Sequence, residues 1–312
     1  MNTLDFRRDG WLVLILAALA IAGFFLPNWV RYILQTSLAG GLVALAVMIQ
    51  MRAGLVSFGQ GLYYCAGAYI AGIAASKWGI RDVTVLIPMT IIVTALFGGV
   101  VGLLLSRYRE IFFAMLSMAL SMILYGVLVK AAWLGSTDGF NVPAPTYFGF
   151  APKASMRAEY SYVFVATIVV ITAFVVARYL AISAGAMLNT VAQNEIRLEY
   201  LGASPRRVVH VVYVVAAAIS GIGGALTAFT TRHIDPELAN WTTSGSFVFV
   251  ALLAGRGSVI APIIGYFVLE MVKTYALGWT PNAWQLILGA VMLFIILVLP
   301  NGVSSLFSRR SK

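Results

Sequence analysis

The sequence predicts an all-α polytopic membrane protein, and three observations predict it. Of the 312 residues, 61% are hydrophobic and 10% are charged, whereas a soluble domain carries about 25% charge. The apolar residues come in continuous runs of about 20, the length a helix needs to cross the hydrocarbon core of a bilayer. Those runs lack the short alternating strands of a transmembrane barrel. Backbone groups in lipid must be satisfied within the segment, so the runs are read as helices.

Ten hydrophobic candidates run near 11–26, 31–50, 55–76, 83–105, 110–132, 160–181, 208–231, 242–254, 258–277 and 283–299. The first and eighth are short. The eighth reads as a half-helix or re-entrant piece, which leaves eight to ten spans. Arg7 and Arg8 precede the first run as in a signal peptide. No small-x-small cleavage site closes it before Phe24-Phe25-Leu26-Pro27, so an uncleaved first span is expected. Ten spans place both termini on one side. With both inside, 13 of the 21 Lys and Arg residues are inside, the bias that sets cytoplasmic termini. The net charge of +10 therefore reads as orientation rather than nucleic-acid binding, because the basic residues punctuate apolar runs instead of forming a patch. Residues 1–312 are expected to form a single transmembrane domain without a soluble unit or linker. Arg52-Ala53-Gly54-Leu55-Val56-Ser57 faintly echoes Arg256-Gly257-Ser258-Val259, a match too short to count as a repeat.

Two hydrophilic stretches stand out. Residues 133–159 carry Thr137-Asp138-Gly139, Pro143, Pro145 and Pro152, which make a shaped loop on the outer side. It is either a docking surface or a plain connector. Residues 183–207 form the long polar interruption on the inner side. They read as short helices closed by Gly202 and then by Pro205.

Catalysis finds no constellation. The chain lacks Gly-x4-Gly-Lys-[Ser/Thr] and His-Glu-x-x-His, so neither ATP hydrolysis by a phosphate loop nor zinc proteolysis is expected. His210 and His233 are far apart in sequence, and Cys65 is the one cysteine, read as a small buried hydrophobe. No enzyme, cofactor or metal is expected. Gly98-Gly99-Val100-Val101-Gly102 and the series Ala217, Gly221, Gly224, Ala225 and Ala228 offer small faces for close helix approach. Glycine is densest from Gly54 to Gly72. There Ser57 and Gln60 lie three apart beside Gly59 and Gly61. A span broken by glycine is tolerated beside water or within protein, so these four residues either line a route or pack a core. Glu270 and Lys273, also three apart, either neutralise each other on one helix or form an ion-coupling pair.

Four blocks then carry a resemblance. They are Gly54-Leu55-Val56-Ser57-Phe58-Gly59-Gln60-Gly61 with Gly67-Ala68-Tyr69; Asn194-Glu195-Ile196 with Glu199 and Leu201-Gly202; Ser220-Gly221-Ile222-Gly223-Gly224-Ala225-Leu226; and Gly255-Arg256-Gly257-Ser258-Val259-Ile260-Ala261-Pro262 with the late Pro300-Asn301-Gly302. Together, over roughly residues 37–303, they resemble the membrane permeases of ABC importers for branched-chain amino acids, within the wider group of hydrophobic amino acid and amide importers. Ala186 and Ala192 stand where that family often has Arg. The resemblance implies a permease fold in the bacterial inner membrane and a second homologous permease subunit. It also implies two ATPase subunits that bind the ATP, and a periplasmic solute-binding protein. Asn194, Glu195, Glu199 and Gly202 would couple to the ATPase, and Ser57, Gly59, Gln60 and Gly61 would line the translocation pathway. The solute would be a branched-chain or hydrophobic amino acid, with urea, a short amide or an aromatic acid as alternatives. An ion-coupled secondary transporter is the alternative from another class.

Overall fold

The computed structural model describes residues 23, 26–255, 257–279, 286–290, 293 and 297. The expected first span at 11–26, most of the tenth at 283–299, Arg256 and Pro300-Asn301-Gly302 lie outside the described residues. In chain order the helices are α1 (Asn28–Arg52), α2 (Gln60–Lys77), α3 (Val83–Leu105), α4 (Glu110–Lys130), α5 (Arg157–Ala181), α6 (Ser183–Gln193), α7 (Glu195–Tyr200), α8 (Pro205–Thr231), α9 (Trp241–Ala254) and α10 (Ala261–Trp279). The eight expected spans between residues 31 and 277 each coincide with a helix. Among the described residues, α1, α3, α4, α5 (with the short turn that leads into it) and α8 are long and apolar enough to cross a membrane. One boundary differs from expectation by more than a helical turn, and the eighth span is short as expected. The second of those spans starts at Gln60 rather than 55, because Gly54 adopts a left-handed conformation and residues 53–59 are not helical. The short eighth span is α9, 14 residues, or about 21 Å at 1.5 Å per residue, too short to cross a core of about 30 Å.

Helix α8 is the axis of the bundle and packs along α2, α1 and α3. Its sequence explains why. Ala216, Ala217, Ser220, Gly221, Gly223, Gly224, Ala225 and Ala228 are all buried, and small side chains let helix backbones approach closely in lipid. A methyl group at Gly67 of α2 would overlap the carbonyl oxygen of Gly221, and one at Gly224 would overlap that of Tyr64. The α2–α8 contact is therefore backbone on backbone. Two hydroxyl pairs flank it. Tyr63 donates to the Tyr213 hydroxyl at 3.0 Å, and Tyr64 donates to Thr227 Oγ1 at 3.0 Å. On α3, Gly98 receives the Ala217 methyl. Helix α1 is enclosed along 83% of its apolar window and α4 along only 22%, so α1 and α8 form the interior while α4 faces outward. Cys65 is buried within α2, as expected of a small hydrophobe.

At the end of the bundle opposite α6 and α7, loops tie the helices together. Phe140–Asn141 (β1) pairs antiparallel with His233–Ile234 (β2), with Phe140 opposite Ile234 and Asn141 opposite His233. This two-residue ladder lies in the loops and leaves the all-α fold class as expected. It gives backbone partners to one part of the long α4–α5 loop, and Thr146 gives another by bonding Arg81 and Val83 of the α2–α3 turn. Asp82 caps α3 by accepting from the Thr84 amide at 2.9 Å and also accepts from the Gly149 amide. The Thr84 hydroxyl, then the Thr84, Gly149 and Phe148 amides, hold the Asp82 carboxyl below its ordinary range. A depressed carboxyl stabilises the fold above its ordinary pKa, and that contribution is lost as pH falls through the lowered value. Arg31 of α1 pairs with Glu159 of α5 at 3.3 Å.

The backbone contact between α2 and α8 yields the first prediction. Gly224→Val should abolish the monodisperse folded peak in detergent size-exclusion, because a side chain there must displace the Tyr64 carbonyl, and overpacking costs about 1–3 kcal/mol or more. Gly99→Val, on the same kind of helix but with nothing near its Cβ position, should leave that peak unchanged.

Candidate functional site: a braced polar segment and a buried polar knot

The polar segment leaves α5 at Ile182, whose extended backbone breaks the helix, and continues as α6. Asn194 then separates α6 from α7 in extended conformation and caps α7, accepting from the Arg197 amide at 3.0 Å. Asn is a preferred N-cap because its side-chain oxygen satisfies an amide left unpaired in the first turn. The far end of α7 closes as a Schellman turn. The Ala203 amide donates to the Leu198 carbonyl at 3.2 Å and the Gly202 amide to the Glu199 carbonyl at 2.9 Å. Gly202 takes the left-handed conformation this requires, at φ +80°. Pro205 then begins α8 at its first turn, where the missing amide costs nothing.

Helix α7 is only six residues long, too short to be stable by itself. Two attachments hold it. Leu198 is fully buried. Glu195 forms a two-point ion pair with Arg109 at the turn between α3 and α4: Arg109 Nε donates to Oε1, and Nη2 donates to Oε2 at 3.4 Å. The same guanidinium donates to the carbonyls of Ser106 at 2.7 Å and Tyr108 at 2.9 Å. Glu195 thus links α7 to the α3–α4 turn. Glu199 and Gly202 are exposed. Beside the exposed Arg197 and Glu199, α7 and the residue after it present three apolar side chains outward: Ile196, Tyr200 and Leu201 are 64%, 88% and 72% exposed. Arg109 was invisible to sequence reasoning, since one arginine among several in polar turns carries no sign of its partner.

Ser57, Gly59, Gln60 and Gly61 come together, as the spacing suggested, in the break between α1 and α2, and all four are buried. Gln60 Nε2 donates to Gln50 Oε1 of α1 at 2.9 Å, and Ser220 of α8 donates to Gln60 Oε1 at 2.7 Å. Gln50 Nε2 is buried without a hydrogen-bond partner among the described residues. The Gly61 amide, one of the unpaired donors at the start of α2, donates to Ser244 Oγ of α9 at 3.1 Å. The Gly59 amide donates to Ser57 Oγ at 3.3 Å. Neither glycine has room for a side chain, Gly61 against Ser244 and Gly59 against the Ser117 carbonyl of α4. Ser121 donates to the Ala239 carbonyl at 2.8 Å, fixing the segment that leads into α9. Gln50, Ser121 and Ser244 were not singled out in the sequence, and Ser220 appeared only within the small-residue block, because the four come from four other helices and share no spacing.

Glu270 and Lys273 lie on α10 and are both half-buried. Ile263 and Tyr266 pack on Gly41 and Gly40 of α1. This antiparallel contact carries Glu270 toward the α1 end where Tyr32 lies, away from the polar knot.

These two sites give two predictions. Arg109→Ala and Glu195→Ala should each raise amide hydrogen exchange across 194–202, and the double variant should raise it little further. The pair is partly exposed, so its coupling energy should be about 0.5–1 kcal/mol. Equal and additive effects would contradict the brace. Ser220→Ala should lower the thermal midpoint in detergent by leaving Gln60 Oε1 without its donor, at a cost of about 1–3 kcal/mol. Thr230→Ala, which removes a hydroxyl bonded only within its own helix, should shift it far less.

A family model described as branched-chain amino acid transport system / permease component matches residues 30–297. Among curated proteins, the chain is similar to the high-affinity branched-chain amino acid transport system permease protein LivM of Escherichia coli (strain K12). That match is 25% identical over 277 residues, covering 80% of this chain and 64% of that protein. LivM of Salmonella typhimurium (strain LT2) is 26% identical over 277 residues with the same coverage. The chain spans just under two thirds of the length of these relatives. No solved structure matches. Apolar membrane-length helices, the polar segment they carry and a family match over nearly all of the described residues lead to one assignment: the chain belongs to the family of branched-chain amino acid transport permease components and is a multi-pass, all-α membrane protein.

Proposed function

We propose that the chain is the membrane-spanning permease subunit of an ATP-driven importer and translocates a branched-chain or hydrophobic amino acid delivered by a solute-binding protein. ATP is bound and hydrolysed by separate ATPase subunits, and a second homologous permease completes the membrane unit. The membrane is the bacterial plasma membrane, with both termini and the α6–α7 segment on the cytoplasmic side. The choice of solute rests on the likeness to the branched-chain amino acid permeases LivM.

One observation carries the reading. Ile196, Tyr200 and Leu201 are exposed apolar side chains on and just after a short helix outside the spans, and that helix is capped at both ends and braced by Arg109. Exposed apolar side chains on a rigid mount outside the membrane are the surface a partner protein covers. In the coupling role, Asn194 and Gly202 shape α7, and Glu195 passes its displacement to the α3–α4 turn. Glu199 offers a charge at the rim. Ser57, Gly59, Gln60 and Gly61 lie along the proposed route in a closed state, sealed by Ser244 and Ser117. Opening there requires α9 to withdraw from the start of α2, a change of packing between discrete arrangements.

Capture of the tagged chain from its native membrane should recover an ATPase and a second permease. The triple variant Ile196→Ser, Tyr200→Ser, Leu201→Ser should lose the ATPase and keep the permease. Recovery of the chain alone from the unaltered protein, or undiminished ATPase capture by the triple variant, would sink the assignment.

A further inference from the structure

Between the end of α3 and the start of α8 lies a cleft of about 420 Å³. Arg206, Arg207 and His210 line it together with the hydroxyl-bearing Ser106 and Ser204. Its walls are Leu103 and Val211, 58% and 48% exposed. The cleft therefore has a cationic end and an apolar end. It sits where two membrane-length helices meet the polar segment, at the boundary between hydrocarbon and water.

The charges at the cationic end are uncompensated. Arg206 reaches across the cleft to α3, but only to neutral groups, the Ser106 hydroxyl at 3.5 Å and the Leu103 carbonyl at 3.4 Å. Neither Arg206 nor Arg207 forms an ion pair among the described residues, and the nearby Glu195 carboxylate is taken by Arg109. Ser204 does not use its side chain to cap α8, so its hydroxyl is available. His210 turns Nδ1 inward beside Gly102, where it is buried without a hydrogen-bond partner among the described residues.

We propose that this cleft binds a phosphate group, held by Arg206 and Arg207, and that the phosphate belongs to an anionic membrane lipid. Paired guanidiniums favour phosphate because their donors match its oxygens in two-point geometry. Basic pockets between helices at the membrane surface are where lipid head groups bind. The exposed Leu103 and Val211 decide between the sources: acyl chains extend along them into the bilayer, whereas a free phosphate ion gains nothing from an apolar wall. A lipid held here bridges α3 and α8 immediately after the Gly202 turn, and so steadies the start of the axial helix.

The test is lipid retention by the full-length purified chain, followed by native mass spectrometry from nanodiscs of mixed phosphatidylglycerol and phosphatidylcholine. No ATPase is present, so the outcome is separate from the coupling role. The chain should retain phosphatidylglycerol over phosphatidylcholine by about tenfold. Arg207→Gln should lose most of that preference, and Arg206→Gln with Arg207→Gln should lose all of it. Arg207 makes no hydrogen bond or ion pair among the described residues, so its single variant tests the site without risk to folding. Absence of preference, or a preference that survives both substitutions, overturns the site. If millimolar inorganic phosphate displaces the lipid and raises the thermal midpoint in pure phosphatidylcholine discs, the phosphate chemistry stands and the lipid assignment falls.

Discussion

The close approach of α2 and α8 sets the terms for the rest of the bundle. Gly67 lies against the Gly221 carbonyl and Gly224 against the Tyr64 carbonyl, so the two helices meet with no side chain between them. In lipid no hydrophobic force draws helices together, and contact area has to supply the attraction. Bringing the backbones together lets Tyr63 reach Tyr213, Tyr64 reach Thr227 and Gln60 reach Ser220. Larger residues at the contact would part the helices and break those three bonds together.

The polar knot depends on that geometry from one end and the polar segment from the other. Gln50, Gln60 and Ser220 come from three helices that surround the break after Gly54, and Gly54 itself rests on Ala192 of α6. The break in the membrane-spanning stack and the segment outside it are therefore in contact. Helix α6 lies against the end of α1 at Ala192, and α7 is tied to the α3–α4 turn through Arg109. The segment is braced at two places rather than hung between two helices.

Much of this was legible in the sequence where the signal is local. Gly202 marks its turn because a Schellman closure needs a residue without a Cβ, whereas Pro205, read as part of the same stop, instead opens α8 because its fixed φ suits the first turn. Apolar run length located the spans. The α2 start was misplaced by several residues because Leu55 and Val56 continue the hydrophobic run, and hydropathy does not register that Gly54 turns the chain. Glu195 was found but its nearer role was not: the motif suggested a contact with another protein, while its carboxylate lies against Arg109, 86 positions away. Pairings over such distances leave no trace in a single sequence. The same is true of Ser244, which satisfies the first turn of α2 across 183 positions.

The small ladder between Phe140–Asn141 and His233–Ile234 bears on how the protein is made. Its two sides are joined by a further bond between the His233 ring and Asn141, 92 positions apart. When the ribosome has released the α4–α5 loop, Thr146 and Gly149 can already bond the α2–α3 turn at Arg81, Asp82 and Val83, but Phe140–Asn141 has nothing yet to pair with. Its partner emerges only after α8 has been threaded through the membrane. Closing that ladder therefore waits for the axial helix, whereas the rest of the loop can fasten to the α2–α3 turn beforehand.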